Sequence, residues 1–397
     1  MSPKGKILIL KLNGRLLSIL IRDNQILSIQ VQKENDYAVG NIYVGKVQNI
    51  SENIGAAFVD LGQGYLTFLP LTEAKHAFAM NRKYDGRLKA GDEILVQIIK
   101  EPMKTKLAGV TTFLSLSGKY AVVGMPRQEK SVIQVSSKLS KKKQIRFRSI
   151  EALQKAAERY QVIVRTNAGE AADDEPLLTE THYLSEQLEH ILQIADKRTC
   201  YSCLYRGKPD YIHFVENAYT TEYDEVITDL AEIYEVLQEN FAGTNIPVRF
   251  YEDQMLPLHK LYAIETRIKE LLDKKVWLKS GGYLVIEPTE ALVSIDVNTG
   301  KCEQGRNKEE TFLRINMEAA EMIAVHLRAR NLSGIIMVDF INLREKEHVK
   351  QLIEYMSSLL KKDSIAADVV DMTGLGLMEI TRKKVNPSFR EQYGKDR

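Results

Sequence analysis

Two aspartates, Asp296 and Asp339, each lie near the end of a short apolar run. The runs 291–298 and 334–341 are rich in β-branched residues and bounded by turn or polar residues, so both are predicted to be buried strands. Because side chains alternate along a strand, Asp296 and Asn298 leave the first strand on the same face. Such carboxylates are costly unless their charge is compensated, which leaves two interpretations open. They form a metal site, or a structural pair that caps loops and pairs with nearby Lys and Arg.

The segment between these strands carries apolar residues at helical spacing from about Lys308 to Arg330. It therefore predicts a strand–helix–strand unit, in which the crossover makes the two strands parallel. Parallel strands end at the same edge of the sheet, so Asp296 and Asp339 are expected at one carboxyl edge. Ligands of open α/β sheets bind at that edge.

Length and composition indicate a globular protein of several domains. The 397 residues are enough for two to four domains, and the hydrophobic content of 44% and charged content of 27% are ordinary. With 55 Lys and Arg against 53 Asp and Glu, the net charge of +2 does not itself point to nucleic acid, so any basic surface must be local. No apolar signal core or membrane span is visible, and a cytoplasmic protein is expected.

The three cysteines do not form a disulfide framework in a chain of this length. Cys200 and Cys203 make a single C-x-x-C, which is half of a zinc site, and Cys302 has no partner nearby in sequence. Since a structural zinc normally needs four ligands, free thiols are expected.

The N-terminal part predicts a three-stranded meander followed by a small barrel. The meander strands are Lys6–Leu12, Arg15–Ile21 and Gln25–Val31, with a strong hairpin signal at Asn13-Gly14. From about residue 41, short glycine-broken strands follow at 42–47, 55–60, 64–71 and 93–99, which suggests a barrel. A meander of this size cannot stand alone and must pack on a later part of the chain.

Two phenylalanines of this barrel, Phe58 and Phe68, lie on separate strands. In an oligonucleotide-binding barrel, such rings stack on bases while lysines follow the phosphates. The nearby lysines are Lys46, Lys100, Lys104 and Lys106. The alternative is that both rings belong to the core, and the sequence by itself favours that alternative.

A basic run precedes a candidate phosphate-binding pair. Residues 136–148 contain six cations and no acidic residue: Lys138, Lys141, Lys142, Lys143, Arg146 and Arg148. The run is either a solvated surface or a stripe that faces phosphates. A predicted strand at 162–167 then carries Arg165, which can form a bidentate pair with phosphate, and Thr166, which adds a hydroxyl.

The middle of the chain shows no catalytic constellation. The pattern predicts helices at 177–197, 222–240 and 258–272, and strands at 211–215 and 248–251. These elements are expected to complete the sheet that the N-terminal meander begins. The barrel and the phosphate-binding region would then be an insertion in that sheet.

Recognisable motifs lie throughout the chain, at residues 40–47, 56–62, 68–71, 111–118, 164–168, 280–287, 289–298, 338–341 and 376–382. Together they resemble the ribonuclease E/G family. The resemblance implies an α+β and α/β multidomain fold. This fold has a split ribonuclease-H-like sheet (1–38 and 208–272), an inserted OB-type RNA-binding barrel (39–119), a 5′-phosphate sensor region (120–207) and a DNase-I-like catalytic domain (273–397).

The resemblance also implies the roles of individual residues. Asp296 and Asp339 are expected to hold Mg²⁺, with Mn²⁺ as a substitute, and Asn298 to assist at the same catalytic site. Arg165 and Thr166 are expected to bind the 5′-terminal phosphate of RNA. Further RNA contacts are expected from Phe58, Phe68, Lys46, Lys106 and Arg382, although Arg382 could also be an ordinary surface charge.

The leading hypothesis is a Mg²⁺-dependent endoribonuclease that hydrolyses single-stranded RNA, leaving 5′-phosphate and 3′-hydroxyl ends, in rRNA processing and mRNA decay. Substrates with a 5′-monophosphate would be preferred. One alternative is a non-catalytic RNA-binding protein with a structural aspartate pair. Another is a metal phosphohydrolase of small nucleotides, which would leave the barrel phenylalanines and the lysines without a function.

The chain departs from the family at its C-terminal side. Many members carry a Cys-Pro-x-Cys motif there, through which two subunits share a zinc ion, whereas this sequence continues from Asn386 to Arg397 without cysteine. A shared zinc and a zinc-linked tetramer are therefore not expected. A homodimer formed through the catalytic domain stays open.

Overall fold

The computed structural model describes residues 5–32, 37–75, 77–102, 106–127, 133–242, 244, 246–253, 255–300 and 308–394. The chain divides into two compact units. The discontinuous unit consists of Met1–Lys33 and Asn217–Arg397, and the inserted unit is Glu34–Glu216. The N-terminal meander therefore shares a unit with the C-terminal half of the chain.

The meander has the three strands that the sequence predicts. They are β1 (Gly5–Leu12), β2 (Arg15–Arg22) and β3 (Gln25–Val31), paired antiparallel. At the first turn, Asn13 and Gly14 both have positive φ, 50° and 76°, as a tight two-residue hairpin requires.

A closed barrel opens the inserted unit. Its strands are β4 (Ile42–Ser51), β5 (Ala56–Asp60), β6 (Leu66–Pro70), β7 (Glu93–Lys100) and β8 (Ala108–Thr111). They are ordered β4-β5-β6-β8-β7, and pairing of β4 with β7 closes the ring. The predicted OB-type barrel is therefore confirmed.

A second sheet and its helices complete the inserted unit. The strands β9 (Ser115–Ser117), β10 (Ala121–Gly124), β11 (Gln134–Val135) and β12 (Gln161–Val164) are ordered β11-β12-β10-β9, and β13 (Cys203–Tyr205) pairs with β4. The helices are α1 (Lys141–Arg148), α2 (Glu151–Ala157), α3 (Glu175–Ala195) and α4 (Asp210–Asn217). The predicted basic stripe is largely α1, which buries Phe147 and leaves most of its cations exposed.

Two predicted elements of the middle region are wrong. Residues 211–215 belong to α4 and not to a strand, because the buried Tyr211, Ile212, Phe214 and Val215 follow helical spacing. The predicted helix at 222–240 instead begins with a strand, β14 (Tyr223–Thr228). Its charged Glu225 hides the strand pattern, because this carboxylate pairs with Lys6 and Arg249 of the neighbouring strands.

The meander is completed by elements from the middle of the chain, as expected. Helix α5 (Ala231–Phe241) and strand β15 (Val248–Phe250) follow β14, and the sheet order is β15-β14-β1-β2-β3. The predicted helix at 258–272 is two helices, α6 (Leu258–Leu261) and α7 (Ile264–Leu272). They are separated at Ala263, whose φ of 47° is incompatible with a continuous helix.

The last part of the discontinuous unit is a six-stranded sheet with two long helices. Its strands are β16 (Lys275–Trp277), β17 (Tyr283–Pro288), β18 (Val293–Asn298), β19 (Gly334–Asp339), β20 (Ala367–Met372) and β21 (Leu377–Arg382), ordered β16-β17-β18-β19-β21-β20. The helices are α8 (Lys308–Ala329), α9 (Lys346–Leu360) and α10 (Phe389–Tyr393). Helix α8 is the predicted crossover, and β18 and β19 are parallel.

The core of this sheet combines buried residues of its strands with those of α8 and α9, including Ile295, Val338, Ile323 and Met356. The apolar sides of β18 and β19 are therefore fixed, which determines where their polar residues point. Among the helices in the described part of the chain, none is both long and apolar enough to cross a membrane.

Candidate active site

The carboxyl edge of β18 and β19 brings the two predicted aspartates together. Asp296 and Asp339 are direct partners in the register of the parallel pair. Their strand neighbours Ile295 and Val338 are buried, at 2% and 0% exposure, while both aspartates are exposed. The crossover topology predicted from sequence therefore places two carboxylates next to each other on an accessible edge.

Asn298 adds an amide to the pair. Its Nδ2 donates a hydrogen bond of 2.6 Å to Oδ2 of Asp296. Residues 296 and 298 share a strand face, as the alternation predicts. The hydrogen bond fixes the orientation of the Asp296 carboxylate relative to the strand.

A cavity of about 390 Å³ opens at this edge. It is lined by Asp296, Val297, Asn298, Thr299, Phe312, Asp339, Phe340, Ile341 and Asn342. Phe312 comes from α8 and contributes an apolar ring to the lining, with the Lys308 ammonium 5.3 Å from its ring centroid. Neither Phe312 nor Asn342 is predicted from the sequence as a cavity residue.

Two side chains of α8 hold the loop that follows β19. Asn316 is fully buried, and its amide donates to the carbonyl of Ile341 at 2.7 Å and accepts from the Ile341 N–H at 3.0 Å. Glu309 accepts the N–H groups of Arg344 and Glu345 at 2.7 and 3.0 Å. These backbone hydrogen bonds, that of Glu345 above all, lower the pKa of Glu309. Asn316 is not predicted from the sequence as a residue of the site. The one sequence feature that could have identified it is an amide among the apolar positions of a helix.

The donor set at the edge fits Mg²⁺. Within the described residues, no group of three or more His, Cys, Asp and Glu could hold a metal ion. Mg²⁺ does not require such a group, because it binds through one or two carboxylates and keeps waters and phosphate oxygens as its other ligands. Asp296 and Asp339 are hard oxygen donors, and the cavity beside them has room for a phosphate and several waters.

Arg165 and Thr166 lie in the inserted unit, directly after β12. The Arg165 guanidinium donates through Nη1 to the carbonyl of Gly118, and its backbone N–H donates to the carbonyl of Tyr120 at 2.8 Å. The Thr166 hydroxyl lies 2.8 Å from the hydroxyl of Ser136. Both side chains are half-buried, so each is positioned by neighbours and still reachable by a ligand.

Charged groups buried near Arg165 have displaced pKa values. Burial lowers the pKa of Lys119 to about 8, and Arg165 contributes in the same direction. Burial also raises the pKa of Glu180, against three backbone hydrogen bonds that favour the carboxylate. Asn167, which follows Thr166, is buried and donates to the carbonyl of Glu216 at 2.9 Å.

The barrel phenylalanines are not in the core, although the sequence favoured that placement. Phe58 and Phe68 are register partners on β5 and β6, and both residues are half-buried. Their centroids are 6.3 Å apart in an edge-to-face arrangement. Lys46 on β4 is half-exposed and Lys106 is exposed, whereas Lys104 lies outside the described residues.

Arg382 is not an RNA contact, because the structure buries it. The residue is 3% exposed, and its Nε donates to Asp363 at 2.8 Å. Its Nη1 donates to Asn331 at 2.9 Å and to the carbonyl of Leu332 at 3.0 Å. The guanidinium therefore ties the segment before β19 to the segment before β20, and these neighbours occupy the face that a phosphate would need.

Cys200 and Cys203 are half-buried free thiols. Cys302 lies outside the described residues. No zinc site is formed by the described part of the chain.

Comparison with sequence models of known families gives two matches. The model described as Ribonuclease E/G family matches residues 115–385. The model described as S1 RNA binding domain matches residues 36–110.

Individual proteins match over most of the chain. Ribonuclease G of Haemophilus influenzae is 32% identical over 366 residues, which cover 88% of this chain and 73% of the relative. Ribonuclease G of Escherichia coli K12 is 32% identical over 368 residues, or 88% of this chain and 74% of the relative. Ribonuclease E of the same strain is 31% identical over 363 residues, or 88% of this chain but 34% of the relative.

Proposed function

The chain belongs to the ribonuclease E/G family, and we propose that it is an endoribonuclease that requires Mg²⁺ and prefers RNA with a 5′-monophosphate. Family membership makes it an endoribonuclease of this type, with an S1 domain for single-stranded RNA. What we propose beyond family membership is the requirement for Mg²⁺ and the preference for a 5′-monophosphate.

One observation carries the metal requirement: the register pairing of Asp296 with Asp339 at an exposed strand edge beside a cavity. These two carboxylates would hold the ion. When bound, Mg²⁺ supplies positive charge next to the scissile phosphate and makes water a stronger nucleophile at neutral pH. Among the described residues that line the cavity, there is no histidine that could serve as an alternative general base.

The roles of the other residues follow from their contacts. Asn298 keeps the Asp296 carboxylate in one orientation, and Asn316 fixes the backbone after Asp339. Phe312 offers an apolar face to a base or ribose of the substrate. Hydrolysis forms a bond from a water oxygen to phosphorus, breaks the P–O3′ bond and leaves the proton on O3′, so the ends are 5′-phosphate and 3′-hydroxyl.

Arg165 and Thr166 would recognise the 5′-monophosphate. A guanidinium and a hydroxyl on consecutive residues can bind the oxygens of a terminal phosphate, whereas a 5′-hydroxyl offers no such charge. In the barrel, the half-buried Phe58 and Phe68 would stack on bases, and Lys46 and Lys106 would contact phosphates.

The test compares two oligoribonucleotides of one sequence, with a 5′-monophosphate or a 5′-hydroxyl, in Mg²⁺ and in chelator. We expect chelation to abolish cleavage and to leave RNA binding largely intact. We expect faster cleavage of the monophosphate form, and loss of that advantage in Arg165→Lys, because an ammonium cannot replace the planar guanidinium. Cleavage that persists in chelator would refute the metal requirement. Equal rates for the two ends would refute the end preference.

A competing proposal is a binding protein whose aspartates are structural. It predicts RNA binding without cleavage under both conditions. The exposure of Asp296 and Asp339 argues against a structural role for the pair, because structural carboxylates of the chain such as Asp363 are buried against cations.

A further inference from the structure

The turn that supports Arg165 is residues 118–121, between β9 and β10. It is closed by a hydrogen bond of 2.9 Å from the Gly118 N–H to the Ala121 carbonyl. The carbonyls of Gly118 and Tyr120 both accept hydrogen bonds from Arg165, one from the guanidinium and one from the backbone. The position of this turn therefore sets the position of the Arg165 side chain.

The other side of the same turn is held by Glu180 from α3. Its Oε1 accepts the Lys119 N–H at 2.8 Å, and its Oε2 accepts the N–H groups of Tyr120 and Ala121 at 2.6 and 2.8 Å. Three successive N–H groups that converge on one anion form a nest. In this chain the anion is an internal carboxylate, so this nest serves the fold and is not itself the phosphate site.

Gly118 makes room for this carboxylate. A Cβ at this position would lie 2.3 Å from Cδ of Glu180, which is closer than any van der Waals contact allows. The φ of Gly118 is outside the left-handed region, so space and not backbone conformation requires glycine here.

We propose that Glu180 is a positioning residue for recognition of the 5′-phosphate. Its carboxylate accepts hydrogen bonds from three N–H groups of the turn 118–121. Two carbonyls of that turn accept hydrogen bonds from Arg165. The inference rests on the proposed preference for a 5′-monophosphate. It adds that the preference depends on a carboxylate that does not contact the RNA and that has the same sign of charge as the phosphate.

The chemistry explains why a negative group is useful near a phosphate site. Hydrogen bonds to an ionised acceptor are shorter and stronger than those to a neutral one, so the carboxylate fixes the turn firmly. A guanidinium recognises phosphate through a rigid fork, and a displacement of about 1 Å is enough to lose much of that interaction. Removing the carboxylate would leave three N–H groups without their acceptor and allow the turn to shift.

The experiment measures cleavage of the 5′-monophosphate and 5′-hydroxyl oligoribonucleotides by the full chain. Variants are Glu180→Ala, Glu180→Gln and Gly118→Ala, with Arg165→Lys as reference. Glu186→Ala is the matched control, because Glu186 lies on the same helix with its side chain 66% exposed. We expect the ratio of kcat/KM for the two ends to fall about tenfold in the first three variants, or about 1.4 kcal/mol. Cleavage of the 5′-hydroxyl form should stay unchanged.

Amide hydrogen exchange provides a second readout that does not depend on the substrate. In Glu180→Gln, the amides of residues 119–121 and of Arg165 should exchange faster than in the wild-type chain, while the barrel strands remain protected. Glu186→Ala should leave both readouts unchanged.

The outcomes separate the inference from the proposed function. If the wild-type chain prefers the monophosphate and Arg165→Lys abolishes the preference, but the Glu180 variants keep it, the inference is wrong and the proposed function stands. Equal losses for both ends in the Glu180 variants would also overturn it, since they indicate a general structural role. If the wild-type chain shows no preference, the proposed sensor is wrong, whatever the exchange data show.

Discussion

The proposed catalytic edge and the proposed phosphate-binding region are built in different ways. Asp296, Asn298 and Asp339 come from two neighbouring strands joined by one crossover helix. The region around Arg165 instead combines the turn 118–121, Ser136 near β11, the end of β12 and Glu180 of α3. The proposed catalytic residues are thus positioned by a regular sheet, whereas the residues proposed to recognise the RNA end are positioned by contacts between segments distant in sequence.

This difference has a consequence for substitutions. The aspartates are exposed and project from a buried strand pair, so they can be replaced without disturbing the core. The groups around Arg165 support one another, so a change at one of them alters the position of the others. We therefore expect substitutions in the two regions to differ in how much they change the stability, the cleavage rate and the substrate specificity.

The largest expected effect is at the catalytic edge. Asp296→Asn or Asp339→Asn should lower kcat about a thousandfold, because metal-assisted stabilisation is worth several kcal/mol and each tenfold corresponds to about 1.4 kcal/mol. The melting temperature should be unchanged or slightly higher, since one of two neighbouring like charges is removed. Cleavage of an oligoribonucleotide and the melting temperature are the measurements.

Asp368→Asn is the matched control, because Asp368 is an exposed aspartate on β20 of the same sheet. It should keep the wild-type rate. A wild-type rate in Asp296→Asn would mean that the pair is structural after all.

Most of the catalytic edge could be predicted from the sequence, because it depends on two local patterns. Alternation along β18 and helical spacing in α8 are enough to place Asp296, Asn298 and Asp339 on one edge. Arg382 shows where such reasoning stops: its burial depends on Asp363, which lies in another segment and reveals nothing of the pairing from its sequence position. The strand β14 was missed for a related reason, since Glu225 is neutralised by cations of two other strands.

The second prediction tests how firmly the edge is held from behind. Asn316→Ala removes both hydrogen bonds to Ile341 and leaves a half-buried N–H and carbonyl without their partners. We expect a loss of about 2 kcal/mol in the free energy of unfolding, since unsatisfied buried groups cost about 1–3 kcal/mol. The cleavage rate should fall as well, because Asp339 immediately precedes this loop.

Urea unfolding can be followed by Trp277, which is the one tryptophan of the chain and lies in the discontinuous unit. Asn316→Asp is the companion variant, because it keeps an acceptor for the Ile341 N–H but loses the donor. It should be destabilised to a smaller degree at low pH than at neutral pH. Stability of Asn316→Ala equal to wild type would show that the loop has other support.

The third prediction concerns pH and the same helix. His326 is 7% exposed, and burial lowers its pKa to about 3, with Arg330 acting in the same direction. Between pH 6.5 and about 3 the unfolded chain binds a proton at this residue that the folded chain does not. The folded state therefore loses stability as pH falls through that window, by up to about 1.4 kcal/mol per pH unit.

His326→Gln should remove this part of the slope, because glutamine does not titrate but can still accept the 2.9 Å hydrogen bond from Nε of Arg330. The measurement is the urea midpoint from pH 7 to pH 4, again by Trp277 fluorescence. His182→Gln is the control, since the His182 side chain is 76% exposed and its replacement should leave the slope unchanged. An identical slope in His326→Gln and wild type would rule out this residue as a source of acid sensitivity.

The smallest expected effect is on the recognition side, at the basic helix α1. Lys141 and Arg148 are exposed on the same helix face, on either side of Ile145, which is 68% exposed. Arg146 is instead paired with Asp174 at 2.6 Å, and Lys143 donates to the carbonyl of Gly169, just after Thr166. The helix therefore lies next to the proposed phosphate site. Its outer cations, Lys141 and Arg148, can attract RNA without fixing the 5′ end of the RNA.

Replacing both outer cations, as in Lys141→Glu with Arg148→Glu, should weaken single-stranded RNA binding a few-fold, equally for 5′-monophosphate and 5′-hydroxyl forms. The slope of log K against log salt should become shallower by about 0.7 for each phosphate that the variant no longer neutralises. Lys197→Glu is the control. Lys197 is also exposed, but it lies just beyond the C-terminal end of α3. If the double variant changed the ratio of the affinities for the 5′-monophosphate and 5′-hydroxyl forms, α1 would itself help to position the RNA end. The distinction between charge attraction and positioning in this unit would then be wrong.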